Sequence, residues 1–158
     1  MMMEISAILE GTNDFLFEVE GCVLKPYKDS GGVWTCGVGF TYYKGKPVTE
    51  HYPADLTLDN CHIQLNSNIN FILEDIQELI GSDIKLNDNQ YVALCSFVYN
   101  IGISAFKQST MLKLINENDL TKASQQFPLW NHVNGAVCDG LTNRRRKEQQ
   151  LFDGEITL

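Results

Sequence analysis

The sequence predicts an α+β fold, predominantly helical, on three observations. Apolar residues recur at steps of three and four through most of the chain. One stretch near the amino terminus replaces that period with glycines, aromatics and β-branched residues. Cap and turn residues separate the periodic segments at regular intervals.

Residues 4 to 19 carry Ile5, Ile8, Leu9, Phe15, Leu16 and Val19, the spacing of a short helix with a break expected near Gly11, and this helix delivers Glu20 at its end. The carboxyl end of a helix is the negative pole of its dipole, which disfavours a further negative charge and helps to keep an acid protonated. From Gly21 to about Thr49 the pattern is that of a small twisted sheet, with Gly31-Gly32 and Lys44-Gly45 as turns. Asp29 and Thr35 then lie on opposite sides of a Gly-Gly turn, where their side chains can approach.

After Pro53, Leu58, Cys61, Leu65, Ile69, Ile72, Ile76 and Leu79 mark a long amphipathic helix, with Thr57 to cap it and Gly81 to end it. At 1.5 Å per residue such a helix spans about 35 Å, enough to link a small sheet lobe to a helical lobe, and a cleft between lobes is the expected ligand site. Beyond Leu86 the chain reads as helices joined by short turns. Ala93–Tyr99 ends at Asn100-Ile101-Gly102, Ser109 caps Thr110 to Asn116, Asp119 caps Leu120 to Phe127, and Thr142 caps a last helix to Phe152. The expectation is one domain over 1–158, made of a helix and small sheet lobe (1–56), a linker helix (57–81) and a helical lobe (82–158).

At 158 residues and 44% hydrophobic, the chain can bury a sufficient core without a metal or disulfide staple. No apolar run reaches membrane-span length, and the start Met1-Met2-Met3-Glu4-Ile5 has neither the basic region nor the apolar core of a signal peptide, so synthesis in the cytoplasm without stable membrane insertion is expected. A net charge of −8 argues against nucleic acid as partner, since phosphate neutralisation needs clustered Lys and Arg. It also fits poorly with work on an anionic polymer. Cys22, Cys36, Cys61, Cys95 and Cys138 form an odd set with no metal-ligand spacing and read mainly as small buried thiols, although Cys22 and Cys36 are placed to approach each other. His51, His62 and His132 lack ligand partners at helical spacing, and no metal or other cofactor is implied.

The chemistry lies in Glu20-Gly-x5-Tyr27-x-Asp29-x-x-Gly32-x-x-Thr35-x-Gly37-x-Gly39. Two carboxylates, a hydroxyl and small glycines that admit a bulky ligand are the parts needed to protonate a glycosidic oxygen and direct a water. A carboxylate pair with a downstream threonine is weak evidence alone. The ordered combination with Asn89-Gln90-x-x-Ala93-Leu94-x-Ser96-Phe97-x-x-Asn100-x-Gly102, Phe106-x-x-Ser109-Thr110, Trp130 and Gly140-Leu141-x-Asn143-Arg144-Arg145-x-x-Glu148-x-x-Leu151-Phe152 is specific, and it covers most of the chain.

This combination resembles the phage-type lysozymes, or endolysins, of glycoside hydrolase family 24. The resemblance implies a lysozyme-like two-lobed fold and a muramidase that cleaves the N-acetylmuramic acid to N-acetylglucosamine bond of bacterial peptidoglycan. It assigns Glu20 as general acid and Asp29 and Thr35 as the groups that hold the attacking water, for a single-displacement, inverting reaction. Arg144 matches an arginine near the acid, where a guanidinium can fix a carboxylate rotamer. A close cation also favours the ionised acid, so the pair must be loose or solvent-bridged if Glu20 is to donate. Gly39, Thr41, Tyr99 and Ser109 are candidate sugar contacts, with Tyr99 equally readable as core and Ser109 as only a helix cap. Trp130 is assigned to the core.

One residue departs from the pattern: many family members have histidine where this chain has Phe40, so any hydrogen bond or ion pair of that histidine is absent. Two other readings stand beside the muramidase: a lytic transglycosylase, against which the retention of Asp29 and Thr35 argues, and a catalytically silent murein- or partner-binding protein. A monomer is expected, reaching the wall through a holin lesion or a secretion machine, between which the sequence does not choose.

Overall fold

The computed structural model describes residues 4–157, so the extreme amino terminus weighed above as an export signal lies mostly outside the described residues. The protein is a predominantly helical α+β fold in two compact units. One runs Asn13–Asn68; the other takes in the chain up to Thr12 and from Ile69 onward. Helices α1 (Ile5–Glu20) and α2 (Leu58–Leu79) each pass from one unit into the other.

Helix α1 runs unbroken through Gly11 and ends, in the Asn13–Asn68 unit, at Glu20. The break expected near Gly11 does not occur, because flanking Ile8 and Leu16 are fully buried and their packing outweighs a cost of about 1 kcal/mol for helical glycine. Gly21, at φ +72°, donates its amide to Phe17 O at 3.1 Å and closes the helix in the left-handed conformation glycine adopts freely. Asn13, 4% exposed, locks α1 onto the start of α2: its Nδ2 donates to Asn66 Oδ1 at 2.8 Å and to His62 O at 3.2 Å. Its Oδ1 meets His62 Nδ1 at 2.6 Å, and the His62 ring stacks on Phe17 at 4.0 Å.

Strands β1 (Val23–Lys28) and β2 (Trp34–Gly37) form an antiparallel hairpin in which Tyr27 pairs with Thr35 and Lys28 with Trp34. A second hairpin, β3 (Tyr42–Tyr43) and β4 (Lys46–Pro47), turns at Lys44-Gly45. The single small sheet expected from Gly21 to Thr49 is thus two two-stranded sheets, linked by the Cys36–Phe40 bridge.

Helix α2 begins as expected, with Thr57 Oγ1 accepting from Asn60 N at 3.1 Å. Its end differs. Gly81 is not left-handed; instead Asn116 accepts from Gly81 N at 2.8 Å and donates to Leu79 O at 3.0 Å, one amide side chain satisfying both groups at the terminus. The buried stripe is Cys61, Leu65, Ile69, Leu73, Ile76 and Ile80, while Leu58 is 52% exposed. Leu73 and Ile80 replace Ile72 and Leu79 because the true 3.6-residue period drifts from a strict alternation of threes and fours.

The other unit is built around α3 (Asp88–Ile101), started by a reciprocal Asn87–Gln90 capping box and buried from Tyr91 to Val98. Gly102, at φ +88°, separates it from α4 (Ile103–Lys107), and α5 (Thr110–Asn116) follows its Ser109 cap. Asp119 caps α6 (Leu120–Ser124) as expected, but the helix stops short of Phe127 and a 3-10 turn, Phe127–Leu129, follows with Pro128 inside it. A hairpin, β5 (His132–Val133) and β6 (Ala136–Val137), stands where the sequence reading placed only helices and turns. Its turn is Asn134-Gly135, both at positive φ, a dipeptide that favours this hairpin turn. The last helix, α7, spans Asp139–Phe152, starting earlier than expected: Thr142 lies inside it and donates to Cys138 O at 3.2 Å rather than capping it.

Candidate active site

Four of the residues singled out above, Glu20, Asp29, Thr35 and Gly39, belong to the Asn13–Asn68 unit. The Glu20 carboxyl is half-buried at the end of α1 and lies over Gly39: a Cβ built on Gly39 would stand 3.7 Å from its Cδ and from both its oxygens. Gly39 itself is at φ +72°, so a side chain there is strained whatever the space.

The turn carrying Gly39 is held by Phe40. Cys36 and Phe40 exchange both backbone hydrogen bonds at 2.8 and 2.9 Å, and Phe40 is 3% exposed. Its ring covers Gly37 so closely that a Cβ there would come within 2.6 Å of it. Phe40 therefore supplies packing where the family pattern has histidine.

Asp29 organises the hairpin turn. Its Oδ1 accepts from Gly31 N at 2.8 Å and from Val33 N at 2.9 Å, and its own amide donates to Val33 O at 2.9 Å. Thr35 Oγ1 donates to the same Val33 carbonyl at 2.9 Å. Val33 is thus the common anchor of the two side chains. Asp29 is exposed and Thr35 is 4% exposed. With its proton committed to Val33, the Thr35 hydroxyl can only accept, and the second oxygen of Asp29 remains as acceptor. Two acceptors on one turn are what a water that donates both protons requires.

Tyr27, quoted in the motif but given no role from sequence, joins these groups. It is the cross-strand partner of Thr35. Partial burial first, then the charges of Glu20 and Asp29, push its phenol above the ordinary range, which puts it within electrostatic reach of both carboxylates. Its position two residues before Asp29 on a strand was the available signal, since alternate strand residues share a face.

Beneath the turn lie three thiols. Cys61 Sγ is 3.3 Å from the Gly37 Cβ position. Burial, followed by the neighbouring Cys22, pushes Cys36 up to about 11 and Cys61 up to about 12. All five cysteines are free, with Cys36, Cys61 and Cys95 buried and Cys22 and Cys138 half-buried.

The remaining predicted residues divide. Thr41 is exposed, directly after Phe40. In the helical unit, Tyr99 is half-buried near the end of α3. Ser109, 8% exposed, donates to Phe106 O at 2.7 Å and accepts from Leu112 N at 3.1 Å, so its proton is committed to the cap. Arg144, 7% exposed, donates through Nη2 to Ser96 O at 2.9 Å and through Nε to Glu148 Oε2 at 3.3 Å.

Glu148, fully buried, also accepts from Ser96 Oγ at 2.6 Å and from Arg145 Nη1 at 2.7 Å. Arg145 further bonds Trp130 O at 2.8 Å and Asn100 Oδ1, and its guanidinium lies 4.9 Å over the Phe97 ring. The Arg-Arg-x-x-Glu motif is therefore a buried, hydrogen-bonded ionic network. Trp130 is half-buried against Phe97 at 5.5 Å rather than fully enclosed, because it sits where the 3-10 turn opens into the β5–β6 hairpin.

A family model described as Phage lysozyme matches residues 17–148. The endolysin of Salmonella phage P22 is 38% identical over 135 residues, covering 84% of this chain and 88% of that protein. The endolysin of Bacillus phage PZA is 32% identical over 134 residues, 85% of this chain; the chain spans about half of that relative's length, 50%. Among solved structures, an endolysin from Escherichia coli O157:H7 phage FAHEc1 superposes with a TM-score of 0.85 at 27% identity, covering 100% of this chain and 97% of that one.

Proposed function

This chain belongs to the phage lysozyme family, and from that premise we propose how it works as a lysozyme-type peptidoglycan hydrolase of bacterial lysis: by acid-assisted attack of water on the N-acetylmuramic acid to N-acetylglucosamine bond. Glu20 donates its proton to the leaving glycosidic oxygen. Water bound between Asp29 and Thr35 forms the new bond to the anomeric carbon and gives one proton to Asp29, its other proton being held by Thr35 Oγ1. Entry of water on the face opposite the leaving group inverts the anomeric centre. Afterwards Glu20 is ionised and Asp29 protonated, and exchange with solvent resets both.

The observation that carries this reading is the double use of Val33. Its carbonyl takes the Thr35 proton and the Asp29 amide, and its own amide takes one Asp29 oxygen, leaving one acceptor on each side chain. A transglycosylase has no use for such a pair of water acceptors. Gly39 gives the sugar access to Glu20, and Thr41 and Tyr99 are proposed sugar contacts. Ser109 is proposed to act through its remaining lone pair, at the start of α5. The proposed role of Arg144 in orienting the acid rests on the family likeness and on its fixed anchoring by Ser96 and Glu148.

No described helix is long and apolar enough to cross a membrane. The proposed route to the wall is a membrane lesion or a secretion machine. Digestion of purified murein by wild type and by Glu20→Gln, with muropeptides identified by mass spectrometry, tests the proposal. Reducing-end products from wild type alone are expected. Anhydro ends would make the protein a transglycosylase, and no release by wild type would remove both enzyme readings.

A further inference from the structure

The chain's acidity is not spread evenly. Residues 21–48 hold four lysines and one acid, Asp29, a net of +3, whereas the other 130 residues hold eight bases and nineteen acids, a net of −11. Those four lysines, Lys25, Lys28, Lys44 and Lys46, are all exposed, and among the described residues none has a carboxylate within ion-pair distance. Three lie over aromatic rings: Lys28 is 5.4 Å from the centre of Trp34, Lys44 5.5 Å from Tyr43 and Lys46 5.9 Å from Tyr52. Such seating draws an ammonium toward a ring face without neutralising it, so its charge stays available to an incoming anion.

The rings form part of a fixed scaffold. Tyr43 and Tyr52 lie 6.2 Å apart, and Tyr52 donates its hydroxyl proton to Tyr43 O at 2.8 Å. Lys28 is the strand partner of Trp34, so this pair borders the Asp29–Val33 turn and directly precedes Thr35. The cationic segment and the catalytic carboxylate pair are parts of one unit.

We propose that this lysine-bearing sheet segment recruits anionic murein, its ammonium groups taking the carboxylates of the stem peptides attached to the glycan. The proposal rests on the hydrolase reading for its substrate and names what that reading leaves open, namely how a protein of charge −8 engages a polymer of the same sign. Attraction by residues 21–48 draws the strand to the unit that carries Glu20 and Asp29.

The test uses Glu20→Gln as background, so binding is read without turnover. Lys25→Gln/Lys44→Gln/Lys46→Gln is compared with Lys85→Gln/Lys107→Gln/Lys113→Gln, which carries the same net charge but alters exposed lysines of the helical unit. Co-sedimentation with purified sacculi is expected to weaken about tenfold for the first variant, at roughly a third of a decade per exposed ion pair. The second is expected to stay within about twofold. The first loss should vanish at high salt and on sacculi whose stem carboxylates have been amidated.

Unchanged sacculus binding, or equal loss in both variants, overturns the proposal. So does loss of binding to phosphatidylglycerol vesicles alone, which would assign the segment, with exposed Val23, Leu24, Val33 and Tyr42, to a lipid surface. Wild-type muropeptide release is scored separately, so failure of the hydrolase reading and of this proposal are told apart. An unchanged melting temperature for both variants excludes misfolding as the cause of lost binding.

Discussion

Thr35→Val is the sharpest perturbation, because the structure separates its effect on folding from its effect on chemistry. Valine keeps the branched shape of a 4% exposed side chain and removes only the hydroxyl. The Val33 carbonyl loses one donor but retains Asp29 N at 2.9 Å, so no buried acceptor is orphaned. The folding cost is then at most the net worth of one hydrogen bond, about 1 kcal/mol. For the reaction, the water loses one of its two acceptors and is free to rotate about the bond to Asp29. Misorientation of that kind costs about 10²-fold in rate, or about 2.7 kcal/mol in the barrier. Muropeptide release under saturating murein, with thermal unfolding in parallel, measures both. Thr35→Ser, which restores the hydroxyl, should recover most of the rate. Turnover of Thr35→Val within about threefold of wild type, or a stability loss beyond about 3 kcal/mol, would refute the assigned role.

Four further outcomes follow from the same geometry. Asp29→Asn keeps an oxygen for Gly31 N and Val33 N but replaces the water acceptor with an NH₂ group, so the hairpin should survive and activity fall about 10³-fold, read by melting temperature and product release. Gly39→Ala places a methyl 3.7 Å from the Glu20 carboxyl at φ +72°, and should cost about 1–2 kcal/mol in denaturant unfolding and raise KM. Glu148→Ala leaves Arg144 and Arg145 buried without their shared counter-charge, a loss of about 3–5 kcal/mol, seen as a melting point lower by about 6 °C or more. Burial raises Cys36 to about 11 and Cys95 to about 12. Their unfolded forms ionise near 9, so the unfolded state binds fewer protons above that pH and stability falls from about pH 9 up to about 11 for Cys36 and about 12 for Cys95, by up to about 1.4 kcal/mol per unit per thiol, with little effect of these thiols well below pH 9. Urea titrations across that range check it, with Cys36→Ala expected to flatten the slope.

What could be read ahead of the structure, and what could not, divides by the range of the interaction. The end of α1 at Glu20, the Gly31-Gly32 hairpin, the Thr57 cap and the Asn134-Gly135 turn depend on residues within four positions of one another, so their signals lie in the local sequence, the last in a dipeptide that favours a hairpin turn. Asn116 closing α2 from 35 positions away, Asn13 clamping His62 and Asn66, and Ser96 joining Glu148 across 52 positions have no local trace. In the candidate site, the approach of Asp29 and Thr35 to one anchor, Val33, was legible because it follows from the hairpin register. Tyr27 was not assigned a role, because its meaning depends on the charges of two side chains delivered by a helix end and a turn.

Phe40 shows how the same support can be reached by other physics. The turn over which Glu20 lies needs Gly37 and Gly39 at positive φ, and a turn of that kind relaxes unless something holds it. A histidine at position 40 would hold it through polar contacts whose strength varies with its protonation. The buried phenyl ring instead fills the space a Gly37 side chain would need, and Cys36 and Cys61 beside it stay neutral thiols across the physiological range. The turn is then fixed by dispersion and by two backbone hydrogen bonds, none of which titrates below about pH 11. Replacing Phe40 by histidine should therefore loosen the turn and make stability depend on pH near neutrality. Burial disfavours the charged imidazole, which lowers its folded-state ionisation range below the unfolded value, so stability would fall as the pH drops through that window. A pH-independent unfolding midpoint for Phe40→His between pH 5 and 8 would mean that the ring at position 40 does not set the turn.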